Sequence, residues 1–166
     1  MKKELSGLPA RILPVIEPAV LKHGCSVWDI EFVKEGSDRI LRITIDTDKE
    51  GGIDINDCVA VHRDADVLLD EADPIESSYY LQITSPGLER KLNYPSHLLK
   101  YKGAEVSVKL FKLLDGQRKF NAVVAGYDGE KGLALFDCGD RRITPALEDI
   151  SSVTLIYDYD SDPAFR

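Results

Sequence analysis

The chain has 166 residues, enough for one ordinary domain or two small ones, and its 43% hydrophobic and 30% charged residues place it among ordinary globular proteins. No apolar run approaches the roughly 18 residues of a bilayer span, no secretory signal is legible at Met1–Leu5, and the three cysteines (Cys25, Cys58, Cys138) lack any paired spacing. A cytoplasmic protein without disulfides, metal or cofactor is expected, and its net charge of −8 argues at first against a nucleic-acid partner.

In chain order, a first helix is expected from near Leu8 to His23, with Ile12, Val15, Ile16, Ala19 and Val20 on one face. Gly24 would end it, and Pro14 and Pro18 disturb its start or straightness. Val27 to Val33 alternates Trp28, Ile30 and Phe32 with Asp29 and Glu31; after a turn at residues 35–38, Ile40 to Asp46 alternates Leu41, Ile43 and Ile45 with Arg42 and Thr44. That pattern predicts an antiparallel hairpin with one buried face. Asp54 suits an N-cap, with Asp57 adding favourable charge, for a helix to about Glu71 that buries Ile55, Cys58, Val61, Ala65, Leu68 and Leu69. Tyr79 to Thr84 reads as a third strand with Tyr79, Leu81 and Ile83 inward. The order α-β-β-α-β implies two helices covering one face of a three-stranded sheet.

After Pro86-Gly87 the pattern changes. Pro95 to Tyr101 is a helical turn at most. Short strands follow at 106–110, 119–127, 133–136, 141–144 and 152–157, separated by Asp115-Gly116, Asp128-Gly129 and Gly139-Asp140. Five short strands at this spacing predict a small closed barrel, with Gly126 letting the longest strand bend. The tail from Asp158 to Arg166 is acidic and expected to be loose. The whole is an α+β chain: an N-terminal α/β domain at 1–90 and a β-barrel domain at 91–166.

Charge is distributed unevenly. Residues 1–89 hold 9 Lys/Arg against 18 Asp/Glu, residues 90–120 hold 8 against 2, and residues 121–166 hold 4 against 9. One basic stretch therefore lies between two acidic ones. This suggests a basic surface for phosphates and an acidic one for a basic protein; the alternative is a solubilising surface with a chance cluster.

Catalytic motifs find little support. His23, His62 and His97 lie in different elements without metal-ligand spacing. Cys58 falls on an apolar helix face, as a small core residue would. Ser85 lacks the G-x-S-x-G setting of a nucleophile, and no phosphate-binding glycine motif is present. The acidic residues of the second helix (Asp57, Asp64, Asp66, Asp70, Glu71) make no metal loop. The chain is not expected to be an enzyme, a hydrolase through Ser85 or Cys58 being the remote alternative.

The stretch Thr84-Ser85-Pro86-Gly87-Leu88-Glu89-Arg90-Lys91-Leu92 is the most distinctive. Pro86-Gly87 suits the centre of a type II turn, which makes Thr84, Ser85, Pro86, Gly87 and Leu88 an inter-domain elbow. The stretch resembles the Ser-Ser-Pro-Gly-Leu-Asp-Arg-Pro-Leu hallmark of the bacterial ribosome maturation factor RimP family, with Thr84, Glu89 and Lys91 as the departures. Residues 29–32, 41–46 and Asp57-Cys58 agree as well, and the likeness covers nearly the whole chain. The resemblance implies a KH-like first domain and an Sm/SH3-like barrel second. It also implies a non-catalytic factor for maturation of the small (30S) ribosomal subunit, with 16S ribosomal RNA and the basic ribosomal protein S12 as partners; a monomer without a membrane role is expected. Arg90, Lys91, Lys109, Lys112, Arg118 and Lys119 are the candidate partner-binding residues, within a basic stretch that also holds Lys100 and Lys102. The alternative function is a general RNA-binding module of Sm-like type.

Overall fold

A computed structural model describes residues 1–165. The chain divides into two compact units, one from Leu5 to Pro86 and one from Gly87 onward that also takes in Met1–Glu4. The first combines two helices with a three-stranded sheet, and the second combines a five-stranded sheet with one short α-helix.

In the N-terminal unit, α1 (Gly7–Lys22) leads into β1 (Ser26–Glu35), β2 (Asp38–Asp46), α2 (Ile55–Ala72) and β3 (Tyr80–Thr84). β2 is central, antiparallel to β1 and parallel to β3. Leu41, Ile43 and Ile45 of β2 are fully buried, meeting Ile12, Ile16, Ala19 and Val20 of α1 and Val61, Ala65 and Leu69 of α2 in one cluster. Period 2 on the strand and period 3.6 on the helices thus build a single core from one face of each element. The other face of the sheet is polar, and Arg42 there donates to Gln82 at 2.7 Å and to Glu35.

Some expectations are corrected, though not the span of α1, which runs through Pro14 and Pro18, both exposed and one turn apart. The helical bonds they remove lie on the solvent side, where water takes over the freed carbonyls. A β-bulge between Val27 and Asp29 breaks the simple alternation of β1, so that Asp29, expected outward, is 6% exposed and accepts from the Ile30 N–H. Ile55, expected in the core, is 78% exposed, while Cys58 and Leu68 are half-buried.

The start of α2 is a reciprocal cap. Asp57 N–H donates to Asp54 Oδ1 and Asp54 N–H donates to Asp57 Oδ2, both at 2.9 Å, with Lys49 Nζ 3.0 Å from Asp57. The backbone donor from Asp54, then the Lys49 ammonium, hold the Asp57 carboxyl below the ordinary range. Asp57→Ala, which removes the depressed carboxyl itself, should lower stability in urea melts at neutral pH. A carboxyl depressed in the folded state stabilises above its unfolded pKa and ceases to as pH falls through its folded one. The gap between wild type and variant should therefore narrow on acidification; a gap independent of pH would show that the charge plays no part.

The second unit contains α3 (Pro95–Lys100), β4 (Glu105–Leu114), β5 (Gln117–Asp128), β6 (Leu133–Cys138), β7 (Arg141–Ile143) and β8 (Ile150–Leu155). Its inward side chains include Leu98, Val106, Val108, Val124, Phe136, Ile150 and Val153, each at most 1% exposed. Antiparallel pairing gives the order β7-β6-β5-β4-β8. This is a correction: among the described residues no ladder joins β7 to β8, so the expected barrel is an open sheet. The ends are finished in another way. Residues 90–92 lie along the outer edge of β8, through Leu92 N–H to Val153 O and Leu155 N–H to Arg90 O. β7 stops after three residues, and the chain turns back so that Ala134 N–H reaches Pro145 O. Both devices relieve the exposed-edge problem that closure would have solved. β5 shifts register between Val124 and Gly126, where the bend was expected.

The described part of the acidic tail carries local turns. Asp158 Oδ1 accepts from Asp160 and Ser161 N–H, Tyr157 and Tyr159 meet edge to face at 5.0 Å, and a 3₁₀ turn covers Pro163–Phe165. Arg166 lies outside the described residues.

Candidate nucleic-acid interface

The β4–β5 hairpin turns at Asp115-Gly116, with φ of 51° and 79°. These are the positive angles of a primed two-residue turn, whose twist matches that of the flanking strands. Arg141 of β7 makes a solvent-exposed ion pair with Asp115.

Below the turn, strand alternation sorts the basic residues onto two faces. Val106, Val108 and Leu110 point inward, so Ser107 and Lys109 between them point outward. Lys109 lies directly opposite Lys119 on β5 and opposite Ser152 on β8. One row along, Ser107 lies opposite Asn121 and Thr154, and Thr154 is bridged to Lys91. Lys91, Lys109 and Lys119 therefore share the outward face with Ser107, Asn121, Ser152 and Thr154. Lys109 and Lys119 stand opposite one another with Cβ atoms about 5 Å apart. Lys91, two strands and two residues away, lies on the order of 12 Å from Lys109. Both lysines of the opposed pair are exposed, and neither has an ion-pair partner among the described residues. Two like charges so placed repel unless an anion sits between them.

The other candidates are elsewhere. Lys112 pairs with Asp149 at 3.4 Å. Arg118, adjacent to Lys119 on its strand, alternates to the face opposite Lys119 and is exposed. Arg90 stacks over the Tyr101 ring at 5.1 Å, beside the buried Leu92. Towards the far end of the outward face the charge reverses, with Glu105, and with Asp137 paired to Arg142 at 2.8 Å. Sequence reasoning missed the small polar residues of this face, because only strand register brings them between the lysines. It also missed Phe111, 63% exposed on the hairpin.

At the boundary between the units, Thr84 ends β3, Ser85 and Leu88 are exposed, Pro86 is half-buried and Gly87 has φ of 77°. A side chain at Gly87 meets no neighbour within 4 Å, so its conformation and not its space requires glycine. Gly87→Val should cost about 1–2 kcal/mol. Gly87→Asn, which tolerates the left-handed region, should cost visibly less in the same melts; equal costs would place the requirement outside the dihedral.

No chemistry gathers around the remaining candidates. His23 Nε2 lies 2.7 Å from Asp64 Oδ2 with Lys22 at 3.0 Å, and these partners hold the Asp64 carboxyl down. His62 meets Leu81 O at 3.2 Å, and the buried His97 accepts from Asn93 N–H at 2.9 Å and packs edge-on to Tyr94. Burial pushes the Cys58 and Cys25 thiols up, away from reactivity. Among the described residues no group of three or more His, Cys, Asp or Glu is placed to hold a metal, and no helix is long and apolar enough to cross a membrane. Residues 15–89 match the family model described as the RimP N-terminal domain.

Proposed function

Because this chain belongs to the RimP family of ribosome maturation factors through its N-terminal domain, we propose that it is a non-catalytic assembly factor that binds the immature small ribosomal subunit in the cytoplasm. The match over residues 15–89 carries this reading. The outward face with Lys91, Lys109 and Lys119 is assigned to 16S ribosomal RNA, where each ammonium neutralises a phosphate and releases a counterion. The strongly acidic N-terminal unit is assigned to a basic partner, ribosomal protein S12. The KH-like and Sm-like folds implied by the family hallmark at residues 84–92 accord with an RNA-facing role. Mechanistically the factor acts by population shift. It binds an assembling arrangement more tightly than the finished one and is released as the subunit matures.

A general RNA-binding module of Sm-like type is the second reading. It acts as a ring of barrels, and a ring consumes strand edges. The outer edge of β8 is already bonded to residues 90–92, which favours a monomer. Sedimentation with free small subunits, complete ribosomes and naked ribosomal RNA tests the two. Comigration with the free small subunit alone is the expected result. Equal retention on naked RNA would favour the general module, and retention on complete ribosomes would remove the assembly role.

A further inference from the structure

We propose that Phe111 is a stacking platform for an unpaired base of single-stranded RNA whose phosphates lie on Lys109 and Lys119. The inference rests on the RNA-facing assignment above and specifies which form of RNA the hairpin takes. Three observations carry it. First, Phe111 is two residues beyond Lys109 on β4, with Leu110, 6% exposed, between them. Second, Phe111 and Leu113 are each 63% exposed and Leu114 is 38% exposed. An aromatic and two leucines on a projecting hairpin are an association hazard unless something covers them. Third, the cation two residues before Phe111 is Lys109, which lies opposite the likewise unneutralised Lys119, so whatever covers the ring lies near a demand for negative charge.

A nucleotide meets both requirements in one unit. Its base offers a π-face to the ring and its phosphate lies one backbone link away, within reach of a lysine. Duplex RNA does not, since its bases are stacked on each other and unavailable. An acidic apolar protein segment would satisfy the charges without needing an aromatic ring. Asp115-Gly116 closes the hairpin as a two-residue turn, and Arg141 pairs with Asp115 from β7.

The test uses the full chain and an oligoadenylate carrying one 2-aminopurine, whose emission falls on stacking, with duplex RNA of the same length as control. Phe111→Ala should weaken single-strand binding roughly tenfold or more and abolish the quenching, with little change in the salt slope. Phe111→Trp should retain both, and Phe111→Leu should behave as Ala. Duplex binding should be indifferent to all three. Lys109→Ala with Lys119→Ala should lower the salt slope by about one per phosphate lost. Retention of affinity by Phe111→Leu would overturn the proposal in favour of an apolar protein contact. Salt-dependent RNA binding unaffected by any Phe111 variant would overturn it alone, leaving the RNA face standing. Absence of salt-dependent RNA binding in the wild type would overturn both.

Discussion

Lys109→Glu is expected to make the C-terminal unit more stable and the protein a poorer binder of its ribosomal partner. Lys109 and Lys119 face each other directly across β4 and β5 on an exposed surface. Like charges in that relation oppose folding by roughly 0.2–1 kcal/mol, and an opposite-charge pair favours it by a similar amount. The single substitution converts one into the other. Urea melts at low salt should show the gain, and it should fade towards 1 M salt as screening removes both terms. Lys119→Glu should act alike, and the double variant, with two opposed carboxylates, should lose the gain; that non-additivity is the signature of a direct pair. Binding should move the other way. Loss of one phosphate contact lowers the log–log salt slope by about one, and the new carboxylate repels what the lysine held. A stabilised variant that binds small subunits as well as wild type would remove this face from the interface. Retained instability at a surface position is what a binding requirement leaves behind.

The N-terminal unit was the more legible of the two because each of its elements buries one face. Leu41, Ile43 and Ile45 announce their strand by period 2, and Ile12, Ile16 and Val20 their helix by period 3.6. Ile55 was misplaced for a geometric reason. At about 100° per residue it sits roughly a quarter turn from the line through Val61, Ala65 and Leu69, on the rim of the apolar face. The bulge at Trp28 leaves no mark in an otherwise regular alternation, so the burial of Asp29 was not visible. In the C-terminal unit the strands were legible and their relations were not. Counting back from Leu114 opposite Gln117 in a regular ladder would put Lys109 opposite Ala122. Instead five residues separate Lys109 from Leu114 while two separate Gln117 from Lys119, and this irregularity brings the two lysines together. Closure failed for a related reason. Whether two edges meet depends on curvature and on competing partners, here residues 90–92 and 145–146, which carry no strand pattern of their own.

Phe136→Ala is expected to have the largest effect on stability, about 3–5 kcal/mol. The ring is fully buried and meets Phe120 edge to face at 6.3 Å, with ring planes 76° apart, so truncation removes dispersion contacts and an aromatic pair and leaves a cavity. A domain this small has only a modest margin of stability, and the loss takes most of it. Two probes separate the units. The one tryptophan, Trp28, is in the N-terminal unit and reports on it by fluorescence, whereas amide exchange in β4, β5 and β6 reports on the other. The N-terminal core is built from its own helices and strands. Exchange in the C-terminal strands should therefore accelerate by a factor of a hundred or more, as about 3 kcal/mol implies, while the Trp28 transition keeps its midpoint. A common shift of both probes would mean that the chain unfolds as one cooperative block. The functional corollary is specific. With β4 and β5 unfolded, Lys109 and Lys119 are no longer held opposite each other and Phe111 has no platform, so salt-dependent RNA binding should be lost. Binding of a basic protein to the acidic N-terminal unit should survive in the same variant.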